Sequence, residues 1–222
     1  MPLSALTHGR LPPADDALFE RIATALETRG LAVLPDALPA DVAAALADDL
    51  AQRDARRFHA AGTGRGPDSA TNPFVRRGRI AWIDERDPAA RRWVEWTGEL
   101  RNYLNRRLFL GLFSFESHFT HYAPGDFYKR HLDAFKGQSN RVLSLVTYLN
   151  PGWLPDQGGE LVVYDPDDAT PPLRVAPTCG TLVVFLSEVF PHEVLPAART
   201  RVGVAGWFRV NTSLNGHLDP PR

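Results

Sequence analysis

Two stretches decide the fold: Val142-Leu143-Ser144-Leu145-Val146-Thr147-Tyr148-Leu149 and Thr181-Leu182-Val183-Val184-Phe185-Leu186. Both are dense in β-branched and aromatic side chains, the types that suit a pleated and buried surface. Turn residues bound them. Pro151-Gly152 follows the first, Cys179-Gly180 precedes the second, and Pro191 comes soon after it. Working outward, the same pattern marks 112–122, 160–164, 173–176 and 202–210 as strands, with Pro124-Gly125, Gly158-Gly159 and Pro171-Pro172 between them. Several short strands at this spacing predict a sandwich or barrel. The expected fold class is α+β, with a double-sheet jelly roll (a double-stranded β-helix) at 106–222 and supporting N-terminal helices.

The N-terminal part, 1–105, reads mostly helical, and both parts are expected to form one structural domain. Leu18, Phe19, Ile22 and Leu26 recur at helical spacing, with Asp15 and Asp16 as expected caps and Gly30 as the stop. A short strand at 31–34 precedes a second helix after Pro39, with Asp41 as its expected cap and Val42, Leu46 and Leu50 on its stripe. Asp87-Pro88 pairs a cap with a proline at the first helical position. The third helix it opens has Trp93, Trp96, Leu100 and Leu104 on its buried face. Between the second and third helices lies a Gly- and Arg-rich loop, about 62–79. It reads as a solvated surface loop or as a flap that orders over a substrate, since long loops in compact domains are often functional.

Composition narrows the classes. The chain has 222 residues, 44% hydrophobic and 23% charged, which fits a globular protein and excludes disorder and collagen-like repeats. No apolar run approaches the roughly 18 residues that cross a bilayer. Residues 1–10 lack the apolar stretch of a secretory signal. Lys and Arg number 25 against 26 Asp and Glu, so neither nucleic acid nor an acidic membrane is an expected partner. The single cysteine, Cys179, permits no intrachain disulfide and reads as a turn residue. A monomer in a reduced, cytoplasmic compartment is expected.

His131 and Asp133 stand two residues apart, which in an extended segment points both side chains to one side. His192 follows the strand at 181–186. In a jelly roll two such strands can lie face to face, so His192 is expected to complete a set of two imidazoles and one carboxylate. That set fills one face of an octahedron and leaves three adjacent positions for a bidentate co-substrate and dioxygen, which suits non-haem Fe(II). Spacing alone is weak evidence, because a lone His-x-Asp is common. Arg201, nine residues after His192, could clamp a distant carboxylate with two parallel hydrogen bonds. The hydroxyls of Tyr122 and Tyr148 could share it. His118 reads either as facing that pocket or as a satisfied core histidine, and His8, His59 and His217 as solvent-facing.

With these residues in view a family likeness emerges. Tyr122-Ala123-Pro124-Gly125-Asp126-Phe127-Tyr128-Lys129-Arg130-His131-Leu132-Asp133 resembles the core motif of 2-oxoglutarate and Fe(II)-dependent oxygenases. Tyr148-Leu149-Asn150, Gly158-Gly159-Glu160-Leu161 and Pro191-His192-Glu193-Val194 follow in the family's order, then Arg201 and Trp207-Phe208. Within the family the chain is most similar to hypoxia-sensing-type prolyl hydroxylases and above all to their bacterial relatives.

The resemblance implies that His131, Asp133 and His192 bind iron, and that Arg201 and Tyr148 hold the far carboxylate of 2-oxoglutarate. It implies Val146, Leu161 and Val194 as walls of the co-substrate pocket, Trp207 as its closure, and Tyr122 beside it. Arg141, Arg76, Tyr128 and Trp82 fall at the substrate mouth. The implied cofactors are Fe(II), 2-oxoglutarate and O2, with ascorbate as a supporting reductant. The implied reaction hydroxylates a proline in a protein partner, elongation factor Tu for bacterial members, releasing succinate and CO2. Asp133 favours hydroxylation, because family halogenases lose that ligand. Arg201 favours this branch over collagen-type enzymes, which usually carry lysine there, and Trp207 replaces the second arginine of nucleic-acid demethylases. One departure stands out. Hypoxia-type enzymes carry Arg-Gly-Asp-Lys before the strand that follows the flap, whereas this chain has Arg76-Arg77-Gly78-Arg79, with no acidic member.

The alternatives are a small-molecule hydroxylase on the same scaffold, and a jelly roll that binds metal or senses a metabolite without chemistry. A structural zinc site fits less well, since such sites favour cysteines and four closed ligands.

Overall fold

A computed structural model of the chain describes residues 13–62, 72–134 and 140–211. Helix α1 (Pro13–Arg29) buries Leu18, Phe19, Ile22 and Leu26 and stops at Gly30. Asp15 and Asp16 are not caps: the helix starts earlier, and both lie in its first turn, where the helix dipole favours a negative charge. Strand β1 (Leu31–Leu34) follows. Helix α2 (Ala40–Gln52) has Pro39 at its cap position and no side-chain cap. Asp41 accepts instead from Arg92 Nε at 2.6 Å, tying α2 to the third helix. Asp87 does cap a turn, but a 3-10 turn at Pro88–Ala90 that leads into helix α3 (Arg91–Leu108). Trp93, Trp96, Leu100 and Leu104 form the buried stripe of α3 as expected.

Eleven strands are described, ten of them after β1: β2 (His59–Ala60), β3 (Arg79–Trp82), β4 (Leu112–Tyr122), β5 (Tyr128–His131), β6 (Arg141–Tyr148), β7 (Leu161–Val163), β8 (Leu173–Val175), β9 (Leu182–Leu186), β10 (His192–Val194) and β11 (Arg201–Val210). They form two antiparallel sheets. The larger runs β1-β9-β6-β11-β4-β3-β2 and the smaller runs β5-β10-β7-β8. The expected strands are all present within two residues at either end. The sequence reading missed β2, β5 and β10, which have four residues at most and little apolar content.

The period of two places the core. Leu143, Leu145, Leu182, Val184, Val204 and Phe208 pack with the helices in one apolar cluster. Val183, Phe185 and Tyr148 belong to a second cluster between the sheets, with Leu161, Val163, Val175 and Val194 of the smaller sheet. Strand β9 therefore has both faces covered, and its sequence is apolar without alternation. At Gly203 a Cβ would lie 2.5 Å from the Thr147 carbonyl oxygen, so only glycine lets β11 lie this close to β6.

Residues 63–71 of the expected flap lie outside the described residues. Its two legs are pinned by Ala61 N donating to Gly78 O and Arg76 Nη1 donating to Gly62 O. The second leg runs beside β5, with Arg77 N donating to Phe127 O and Lys129 N to Val75 O. His59 and Cys179 are exposed, while His8 and His217 lie outside the described residues. No described helix is long and apolar enough to cross a membrane.

Candidate metal centre and co-substrate pocket

His131 ends β5 and His192 begins β10, and the two are paired across the ladder. The expected face-to-face placement is corrected by this register: the histidines sit side by side in the smaller sheet. Asp133 follows two residues after His131. Ligand atoms of His131, Asp133 and His192 all lie within 4.8 Å of one another. Each imidazole Nε2 is 3.6 Å from a different oxygen of Asp133. His131 Nδ1 lies 2.8 Å from the Lys129 carbonyl oxygen, and His192 Nδ1 lies 3.0 Å from that of Phe190. A carbonyl only accepts, so Nδ1 carries a proton in both rings, and Nε2 is the ring atom turned toward Asp133.

The electrostatics keep this set ready for a cation. Burial opposes the Asp133 charge, but the His192 and His131 imidazoles and the Ser144 hydroxyl outweigh it and hold the carboxyl well below the usual carboxylate range. Burial pushes the His192 imidazole down to about 4, against the attraction of Asp133, so it is neutral at neutral pH. Two imidazoles and one carboxylate, with three further positions free around an octahedral ion, fit Fe(II).

Beyond this centre lies Arg201, the first residue of β11 and only 3% exposed. Its Nε donates to the Gly159 carbonyl oxygen at 2.9 Å. Its guanidinium packs on the rings of Tyr148 and Tyr122, at 4.9 and 5.3 Å from their centroids. Among the described residues no carboxylate lies within ion-pair distance of it. Gly159 has φ 74°, and a Cβ there would lie 2.8 Å from Ala197 Cβ, so the turn that presents this carbonyl requires glycine. The Tyr148 hydroxyl is buried without a hydrogen-bond partner of good geometry. Burial pushes it up to about 12, opposed by the nearby Arg201 guanidinium. Leu161 and Val194 share the apolar cluster of Tyr148 and Tyr122, and Val146 packs against it. A buried cation without an anion, beside an unsatisfied hydroxyl, is costly in isolation and fits the far carboxylate of a dicarboxylic acid.

The predicted mouth residues gather on the opposite side. Tyr128 stacks on His131, centroids 3.5 Å apart and planes 18° apart. The Arg76 guanidinium lies over the Tyr128 ring, 4.5 Å from its centroid. Arg141 lies 3.6 Å over the Trp207 ring and pairs with Glu116 at 2.8 Å. Trp82 is 46% exposed and meets buried His118 edge-on, while His118 also touches Trp207. His118 thus faces the site side of β4 and is buried there. A separate groove of about 370 Å³, lined by Leu31, Val33, Val163, Leu173 and Phe190 among others, lies between the far ends of the two sheets. It contains none of the predicted site residues.

Sequence reasoning missed Ser144, Ser187 and Arg209. Ser144 Oγ donates to Asp133 Oδ2 at 2.7 Å. The alternation Ser144, Val146, Tyr148 along β6 carried the signal for Ser144, since all three share the face toward the pocket. Ser187 lies one residue past β9 and has no such signal. Arg209, the next-to-last residue of β11, donates from Nη1 to Glu116.

Comparisons with known proteins agree with this geometry. Residues 117–209 match the model of the 2OG-Fe(II) oxygenase superfamily. A Pseudomonas putida prolyl-4-hydroxylase is 40% identical, with TM-score 0.77, covering 88% of this chain and 100% of that one. A prolyl hydroxylase from Trichoplax adhaerens, solved with a hypoxia inducible factor peptide fragment, is 23% identical and shares the fold, with TM-score 0.75 over 88% of this chain and 90% of that one. Egl nine homolog 1 from Rattus norvegicus is 24% identical over 210 residues, 88% of this chain and 60% of its own length. The chain spans between 12% and 60% of the length of the curated relatives it matches. With its paired histidines, aspartate and buried arginine set on a jelly roll, the chain belongs to the 2-oxoglutarate- and Fe(II)-dependent oxygenase superfamily, among members of the prolyl 4-hydroxylase type.

Proposed function

We propose that this chain hydroxylates a prolyl residue of a protein partner at C4, using Fe(II), 2-oxoglutarate and O2. The observation that carries the reading is the convergence of His131, Asp133 and His192 on one point, with Arg201 buried against Tyr122 and Tyr148 of the neighbouring apolar cluster. His131 and His192 would hold the metal through Nε2 and Asp133 through a carboxylate oxygen. The bound iron supplies the redox chemistry in which 2-oxoglutarate is decarboxylated to succinate and CO2 while one oxygen atom passes to the substrate.

The chain's own residues bind, orient and exclude water. The Lys129 and Phe190 carbonyls fix the histidine tautomers. Arg201 grips the far carboxylate of 2-oxoglutarate, Tyr148 donates to it, and Tyr122 packs beside the guanidinium. Leu161, Val194 and Val146 keep that pocket dry, so the charge-assisted contact keeps its strength. Trp207 closes the pocket toward the mouth, and Tyr128 holds the His131 ring by stacking. Trp82, Arg141 and Arg76 receive the substrate segment. Arg77 and Arg79 on the second flap leg, with Lys129 on the adjoining β5, favour an acidic or polar protein segment.

Elongation factor Tu is the first partner to test, and a monomeric, cytoplasmic enzyme supported by ascorbate belongs to the same reading. The test is mass spectrometry of lysate proteins incubated with the purified chain, Fe(II), ascorbate and 2-oxoglutarate. A gain of one oxygen on a proline is expected. Oxygen on another residue type, or succinate formed only with a small-molecule acceptor, would remove the prolyl reading.

A further inference from the structure

Ser144 and Ser187 are 1% and 0% exposed, and neither belongs to the ligand set or the co-substrate clamp. Their hydroxyl oxygens are 2.9 Å apart, and Ser144 Oγ is 2.7 Å from Asp133 Oδ2. The direction of this chain of hydrogen bonds follows from proton count. The carboxylate has no proton to give, so Ser144 donates to it. Ser144 has a single proton, so its oxygen accepts from Ser187. Ser144 is fixed on β6, paired with Phe185 on one side and Trp207 on the other. Ser187 is fixed by its backbone N–H, which donates to the Val142 carbonyl.

Asp133 needs such a constraint. Its two oxygens are equivalently placed, each 3.6 Å from one imidazole Nε2, so nothing in the ligand set itself prevents both oxygens from binding one ion. We infer that the Ser187–Ser144 hydroxyl relay engages Oδ2 and fixes the orientation in which Asp133 offers Oδ1 to a metal ion. Ser144 and Ser187 are thus positioning residues, acting through Asp133. The inference rests on the proposed metal centre and adds what orients its carboxylate ligand.

The test is Mn(II) titration of the metal-free full-length chain, with free Mn(II) read by electron paramagnetic resonance. Loss of a hydrogen-bond partner behind a metal ligand typically costs about 10–100-fold in affinity, and Ser144→Ala is expected to fall in that range. Ser187→Ala is expected to weaken binding less, in the same direction. Ser144→Thr, which restores a hydroxyl, should recover most of the loss, whereas a purely packing role for Ser144 would not be rescued this way. In turnover, Ser144→Ala should release more succinate per hydroxylated substrate than the wild type. Wild-type Mn(II) affinity in Ser144→Ala overturns the relay. Should Ser144→Ala fail to fold, unchanged affinity in Ser187→Ala overturns it. Absence of Mn(II) binding by the wild type overturns the metal centre itself, which separates the two readings.

Discussion

His131 and His192 face each other across the β5–β10 ladder with ring centroids 4.2 Å apart and planes inclined by 56°. The hydrogen bonds at both Nδ1 atoms leave both Nε2 atoms as the ring positions open to a metal. The pair is built for a cation between the strands. His131→Ala and His192→Ala are each expected to abolish 2-oxoglutarate turnover, read as succinate release. The β10 backbone pairs on both sides, so circular dichroism should show the sheets intact. Turnover that survives either substitution contradicts the ligand assignment.

Arg201 has one bond to a carbonyl and two aromatic neighbours, and its forked face remains for a ligand. Arg201→Ala removes a charge-assisted pair of about 1.5–3 kcal/mol, expected to raise the KM for 2-oxoglutarate by roughly 10–100-fold. Arg201→Lys keeps the charge but loses the planar fork, so an intermediate KM is expected. Unchanged co-substrate affinity in Arg201→Ala removes the clamp.

Tyr148→Phe separates folding from binding. Burying a hydroxyl without a partner costs about 1–3 kcal/mol, so removing it should leave the unliganded protein as stable or more stable in urea unfolding. The same change should weaken 2-oxoglutarate by roughly 0.5–1.5 kcal/mol, as one lost hydrogen bond. A destabilised unliganded variant would show that the hydroxyl already serves Arg201.

The larger sheet was legible because covered strands favour β-branched, aromatic and aliphatic residues, and 181–186 and 142–149 consist of these apart from Ser144. The smaller sheet was only partly legible. β5 reads Tyr-Lys-Arg-His and β10 reads His-Glu-Val, where ligand chemistry and solvent exposure displace the apolar pattern that marks a strand. The ligand set was nonetheless readable, because His131, Asp133, His192 and Arg201 kept the family's order, and the side-by-side pairing of the histidines was not, because register is set by distant strands. The caps at Asp15 and Asp41 failed for a local reason: a carboxylate near a helix start serves the dipole or a neighbouring arginine as readily as it caps. Ser144 was overlooked although alternation with Val146 and Tyr148 put it on the pocket face, because a serine there marks no chemistry until Asp133 is placed beside it.

Acid should expose a further property of the site wall. Burial first, and the Arg76 guanidinium second, push the His118 imidazole down to about 3. His118 sits between Trp82 and Trp207, where a cationic ring would lack its water. Above about pH 6.5 neither the folded nor the unfolded chain protonates it, and it has no effect on the pH dependence. As pH falls below that value the unfolded chain takes up a proton that the native site refuses, so stability is lost progressively down to the folded value. His192, held at about 4, and Asp133, whose carboxylate is favoured by folding, act in the same direction. His118→Met removes one of these contributions. Urea midpoints of the metal-free protein should therefore fall less steeply between about pH 6.5 and 4 in His118→Met than in the wild type, and run parallel above pH 7. Parallel curves over the acid range would mean that His118 accepts its proton inside the native fold.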